Sequence, residues 1–384
     1  MLHRSRVVAG SGAALILAAA LGFAPRPADR PDPAAPDREG MVVGRAALRS
    51  AGELAFAPEG TLFVADSRAG MLHALDVQDA AAPADSGWLH VPELDARVAA
   101  ALGTTRDRLR FNDMATHPRS RNIYLSVSRG VGDDAVPVIA RVDARGEVSV
   151  LDLERIRHAS TPIPSLPGRD ETTPWGQPKA TLTVTDIAYV DGEVYLAGLS
   201  NEQFSSALRR VPFPFTKPAA LTTLEIYHTS HDRYETEAPI TAFVAVTLGG
   251  APMIVAGYGC SPIATFRRSD LASQRHLRGR TVAELGGGNR PVDMIAFERD
   301  GKRRILIANN ARTLALFDAE ALASAPELTR PVSRSFQPAG LPYLPVASAG
   351  VMHLDDFGPE AVLVLRRDLE TGAVELVTYS KRWL

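Results

Sequence analysis

Two short segments concentrate the residues best suited to chemistry: Tyr227-His228-Thr229-Ser230-His231-Asp232-Arg233-Tyr234-Glu235-Thr236-Glu237 and Gly257-Tyr258-Gly259-Cys260-Ser261-Pro262. Imidazole nitrogens, a thiolate and carboxylates form a donor set suited to a borderline or soft metal such as zinc or copper. The expected ligands are His228, His231 and Cys260, with Glu235 or Glu237 as the fourth ligand or as a base acting beside the metal. The plainer alternative is a solvated His-x-x-His loop beside a cysteine that packs as a small hydrophobe.

A second group consists of Glu53, Asn112, Asp113, Asp186, Thr241 and Asp293, which stand at or just before the starts of apolar stretches. A third is arginine: Arg110, Arg129 and Arg312, which are candidates to hold an anionic substrate such as a carboxylate or phosphate.

These groups share a site only if the elements carrying them converge. A small or acidic residue, an apolar stretch, a turn and a second apolar stretch recur, beginning at Glu53, Asp113, Asp186, Thr241, Asp293 and Gly350. Glu53-Leu54-Ala55-Phe56 before Leu62-Phe63-Val64-Ala65-Asp66 shows the pattern, as does Asp186-Ile187-Ala188-Tyr189 before Val194-Tyr195-Leu196-Ala197-Gly198. Units of this length suit four-stranded blades, so the fold class is all-β, a six-bladed β-propeller. Seven blades is the alternative count, if residues 160–181 hide a degenerate unit. Their prolines favour a loop. The last unit supplies three strands, and Met41 to Ala46 is expected to add the fourth and close the ring. A helix is expected over residues 92–103, stopped at Gly103. In a propeller, the connections entering each inner strand emerge on one face with those between second and third strands. Those connections are the long ones here, which places the expected site on that face.

The segment Arg110-Phe111-Asn112-Asp113-Met114-Ala115-Thr116-His117-Pro118 and the segment Pro291-Val292-Asp293-Met294 resemble parts of the six-bladed gluconolactonase-like propellers. That resemblance implies a calcium or other hard divalent cation held by Glu53, Asn112 and Asp293, with bound water or a carboxylate acting on a lactone. Asp113 and Asp186, in the same group, are the candidate catalytic carboxylates. Two features depart from the family: Gly52-Glu53-Leu54 lacks its Glu-Gly-Pro context, and Thr185-Asp186 stands where Asn-Gly is expected. Acidic residues at inner-strand starts can instead serve to hydrogen-bond neighbouring blades.

His3, Arg4 and Arg6 precede an apolar run to Ala24, the pattern of an export signal over residues 1–24, followed by a Pro-rich disordered spacer over 25–40 and one propeller domain over 41–384. A periplasmic or secreted location follows, with an uncleaved membrane anchor as the alternative. A formal net charge of −2 and no Lys/Arg run argue against a nucleic-acid groove. Cys260 is the only cysteine, so no internal disulfide forms. No nucleophile elbow, phosphate-binding loop, zinc-protease helix or haem attachment motif occurs. The reading is an exported propeller with a metal-assisted site, a hydrolase or lyase of a small polar substrate. The alternatives are a non-catalytic propeller that binds a ligand or a protein through Trp175 and Tyr343, or a copper or redox accessory protein.

Overall fold

The computed structural model describes residues 40–79, 87–332, 334 and 336–384. The expected export signal and nearly all of the spacer lie outside the described residues.

Six sheets form the blades, antiparallel but for His276–Arg278, which pairs parallel to Ala220–His228, and they are numbered here by the chain order of their inner strands. The inner strands are Leu54–Phe56, Leu109–Thr116, Asp186–Val190, Ile240–Leu248, Pro291–Arg299 and Val351–Asp356. They are rich in β-branched, aromatic and other apolar residues that pack well on a pleated surface. Tight turns follow several of them. Asp191-Gly192 and Asp300-Gly301 adopt positive φ at both positions (47° and 87°; 51° and 68°), as a two-residue turn matching the right-handed strand twist requires.

Six apolar clusters close the ring, each between two blades. They join blades 1 and 2, 2 and 6, 6 and 5, 5 and 4, 4 and 3, and 3 and 1. Side chains such as Phe63, Leu125, Ile254 and Leu306 are fully buried there, and each contributes on the order of 1.5–3 kcal/mol relative to exposure. Blade 2 therefore sits between blades 1 and 6, and the order around the ring is not the order along the chain.

Closure differs from the expectation. Val42–Gly44 does not join the last blade; it pairs with Ile156–Pro162 as the outermost strand of blade 1. The fourth strand of blade 6 is His90–Val91, paired with Val374–Ser380. The reason lies in burial: Leu89, Val91, Leu94 and Val98 are all packed between blades 2 and 6, whereas Val42 and Val43 are exposed. The helix forms at Leu94–Leu102 and ends on Gly103 in the left-handed region, as expected, and it fills the same interface. Residues 160–181 form no seventh blade. Their first residues complete blade 1, and the rest is loop with one isolated bridge, Thr172 to Pro178, and the start of a short 3-10 helix at Lys179–Leu182.

Candidate functional site

A repeated irregularity in the inner strands builds the channel floor. In blades 2, 4, 5 and 6 the pairing with the second strand skips one residue, at Asn112, Thr241, Val292 and Met352. Such a bulge re-aims the residue that follows it, here Asp113, Ala242, Asp293 and His353. Asp186 and Glu53 hold the same register in blades 3 and 1, opposite Ala197 and Ala65. One level of the channel thus carries Glu53, Asp113, His353, Asp293, Ala242 and Asp186 in ring order.

Three of these carboxylates bind the next blade. Asp113 accepts the Leu54 N–H (2.6 Å), Asp186 the Phe243 N–H (2.6 Å) and Asp293 the Leu354 N–H (2.7 Å), each donor lying one residue beyond the neighbouring ring position. One turn deeper, Asp355 accepts the Thr116 N–H at 2.5 Å. Between blades 4 and 5 the bond is Thr241 Oγ1 to the Pro291 carbonyl. The expected ring position in blade 4 is therefore off by one: Thr241 is the bulged residue, and Ala242 faces the ring.

His353 supplies the counter-charge. Its Nδ1 lies 3.2 Å from Asp113 Oδ1 and 3.7 Å from Asp293 Oδ2. Burial alone would lower its pKa, but hydrogen bonds and charge from these two carboxylates push it up to about 10. Burial, reinforced by Asp113, raises Glu53 to about 8, and burial raises Asp355 to about 7. Asp186 is raised by burial and by the charges of Asp293 and Asp113, and Asp113 is raised by burial against the pull of His353. At neutral pH the floor holds an imidazolium among carboxyl groups whose pKa values burial has raised.

Asp113, Asp186, Asp293 and Asp355 line a cavity of about 580 Å³. Its lining runs down the inner strands to Pro118 and Arg121, just after the inner strand of blade 2, and to Asp356 and Gly358, at the end of the inner strand of blade 6 and in the turn beyond it. The cavity therefore reaches the short-turn face, opposite the long loops where sequence placed the site.

The histidine segment folds as a hairpin on the outer edge of blade 3, Ala220–His228 against Arg233–Glu235. Glu235 lies between two imidazoles: Oε2 is 3.0 Å from His228 Nδ1 and Oε1 is 2.6 Å from His231 Nδ1. Burial would raise Glu235, but the two histidine hydrogen bonds outweigh it and hold its pKa at about 2. Among the described residues, two groups of side chains bring three potential ligand atoms within 4.8 Å of one another: His228, His231 and Glu235, and Asp113, Asp293 and His353. Cys260 and Glu237 belong to neither. Cys260 is exposed in a turn at φ 91°, its thiol raised by burial of part of the side chain and by Glu235 and Glu284.

The arginines separate. The charge of Arg110 is felt at Glu53, Arg129 donates to the Leu102 carbonyl at the end of the helix, and Arg312 donates to the Phe336 carbonyl. None of the three lines the cavity. Asn112 donates to the Ala51 carbonyl and to Ser128 Oγ.

His353, Asp355 and Glu284 were missed from sequence. A signal for His353 was present: aligning each unit on the apolar residue after the ring position, Leu54, Met114, Ile187, Phe243, Met294 and Leu354, puts His353 in the acidic column.

No protein-family model matches the chain, and no curated protein sequence matches it. Among solved structures it is similar to dihydro-heme d1 dehydrogenase NirN in complex with DHE, at 12% identity and a TM-score of 0.35, over 83% of this chain and 51% of the other. The chain spans about half the length of that protein. It is also similar to a chain of the mitotic checkpoint complex, at 9% identity and a TM-score of 0.36, over 96% and 99% of the two chains. Neither likeness bears on chemistry.

Proposed function

We propose that this chain is an exported propeller that takes a small, neutral polar molecule into the short-turn end of its channel and moves a proton there, as a hydrolase or lyase does. The observation that carries this reading is the convergence of Asp113, Asp186, Asp293 and Asp355 on one cavity of about 580 Å³, with His353 against two of these carboxylates. A cavity with a few converging polar groups of perturbed pKa is the usual setting for binding and catalysis.

Each group has a role. Asp355, at about 7, interconverts between acid and base near neutrality, which suits protonation of a leaving oxygen or deprotonation of a water. Asp186 lines the same cavity and presents a carboxyl oxygen to a bound substrate. His353 is oriented by Asp113 and Asp293 and keeps positive charge directly behind the carboxylates that line the cavity. The excess of carboxyl groups disfavours an anionic ligand. Export is supported by the basic and apolar N-terminal sequence.

The ligand set implied by the gluconolactonase-like resemblance does not fit this arrangement. The Asn112 amide is committed to Ala51 and Ser128, and His353 occupies the position between Asp113 and Asp293 that a hard cation would need.

The test is a turnover screen on lactones, esters and sugar acids with the wild type and Asp355→Asn. Turnover that is lost in Asp355→Asn, with thermal unfolding unchanged, supports the reading. Turnover that is equal in both sets Asp355 aside as the acid–base group.

A protein-binding role has one observation in its favour: Trp175 is 56% exposed in the loop before blade 3. The other expected anchor, Tyr343, packs on Phe317 within the core between blades 4 and 5.

A further inference from the structure

The junction of blades 3 and 4 holds a histidine whose surroundings a neutral ring cannot satisfy. His228 is 1% exposed. Its Nδ1 faces Glu235, and its Nε2 lies 3.7 Å from Glu284 Oε2 with no hydrogen-bond partner. Glu284 is equally buried and is fixed by the Thr229 N–H (3.0 Å), Thr229 Oγ1 (2.9 Å) and Ser261 Oγ (2.5 Å). A neutral imidazole has one N–H and one lone pair, so one of its nitrogens would turn a lone pair toward a carboxylate.

A metal on Nδ1 with a proton on Nε2 gives both nitrogens of His228 a partner. His231 brings a second ring to the same point: its Nδ1 sits on the second oxygen of Glu235, and the two imidazole centroids are 4.0 Å apart. One cation there takes a lone pair from each ring and from Glu235 together.

We propose that His228, His231 and Glu235 bind one borderline divalent transition metal of the zinc class, with Glu284 accepting the remaining N–H of His228. One potential ligand atom from each of the three residues lies within 4.8 Å of the others, so small side-chain shifts bring them to the roughly 3.3 Å between ligand atoms around a tetrahedral ion with bonds of about 2.0 Å. Glu284 has the place of the outer carboxylate that orients a metal-bound histidine. His231 has 43% of its side chain exposed and opens the site to solvent. Arg233, which also reaches Glu235 Oε1 at 3.3 Å, is 69% exposed and is displaced without loss of a buried contact. Three protein ligands leave a fourth position for water. The ligands belong to the outer hairpin of blade 3 and the carboxylate behind them to blade 4, so the bound metal ties the two blades together.

The full chain, stripped with a chelator, is titrated with Zn²⁺ alone by calorimetry and with Co²⁺ alone by visible absorption. Thermal unfolding is followed in parallel. One equivalent, an intense Co²⁺ spectrum of tetrahedral type and a raised unfolding midpoint are expected. His231→Ala, at an exposed position that leaves the fold intact, should weaken Zn²⁺ binding at least 100-fold, and Glu284→Gln by about 10-fold or more. Asp293→Asn in the channel should leave affinity unchanged. Absence of saturable binding, unaltered affinity in His231→Ala, or loss of binding in Asp293→Asn would each overturn the proposal.

Discussion

His353 Nδ1 and Asp113 Oδ1 lie 3.2 Å apart and join the last blade to the second, two blades whose inner strands are remote in the chain but adjacent in the ring. The pair is largely buried, its side chains 14% and 16% exposed, and its members share the ring with other carboxyl groups. Each partner therefore makes the other tolerable at that depth, and removing one is worse than never having built the pair.

His353→Gln should accordingly destabilise the propeller by about 3 kcal/mol or more, the usual cost of stranding one member of a buried pair. Chemical unfolding measures it. A double-mutant cycle with Asp113→Asn should recover part of the loss, because the stranded carboxylate is then gone. Additive losses would show that the two side chains act independently.

Stability should fall as pH rises. Glu53 and Asp355 have folded pKa values of about 8 and 7 against ordinary values of 4.5 and 3.8, so the folded state holds their protons where the unfolded chain has released them. Their contribution is complete below about pH 4 and declines through about 8. His353, raised from 6.5 to about 10, adds stability that is full below 6.5 and lost as pH approaches 10. Both slopes have the same sign. The unfolding midpoint should therefore drop between pH 5 and 10, and Glu53→Gln should reduce the slope between about 4.5 and 8. Parallel curves for the two proteins would show that Glu53 ionises freely.

The two candidate closing strands respond differently to charge. Val91 is 2% exposed between blades 2 and 6, whereas Val43 is 62% exposed on the rim of blade 1. Val91→Asp places an unpaired carboxylate in an apolar interface and should lower stability by several kcal/mol. Val43→Asp should change it by less than about 0.5 kcal/mol. Thermal unfolding of the two variants distinguishes them, and a larger effect at Val43 would return closure to the N-terminal strand.

What sequence conveys here is local, and what it omits depends on burial between distant segments. The apolar repeats and Asp-Gly turns specify six blades because each is satisfied within its own hairpin. The ring is readable only in part: the bulge at Thr241 shifts the facing residue to Ala242, and His353 breaks the acidic pattern at the place where it supplies the counter-charge. The blade order could not be read, since a two-residue strand such as His90–Val91 has no periodicity and is placed by the apolar surface that covers it. His228, His231 and Glu235 meet because a short hairpin places them side by side, while the positive-φ turn at Cys260 leaves that residue at the surface.

Arg209 gives the last prediction. It is fully buried, and its guanidinium donates only to backbone carbonyls: Pro164 (2.8 Å), Thr183 (3.1 Å), Ser165 (3.1 Å) and Leu199 (2.7 Å). Burial pulls its pKa down to about 10, which leaves it charged at neutral pH. The four acceptors lie at the two ends of the long segment between blades 1 and 3 and on the second strand of blade 3. One side chain thus fastens both ends of the loop to the sheet. Arg209→Met keeps much of the volume but leaves carbonyls without donors, at about 1–3 kcal/mol for each one that water cannot reach. Arg209→Lys keeps the charge but cannot reproduce the planar fork that reaches four acceptors. Both should be destabilised, with Arg209→Met losing more, and amide hydrogen exchange should quicken first across residues 163–185. If exchange there matched the wild type while global stability fell, the arginine would be holding blade 3 together rather than the loop.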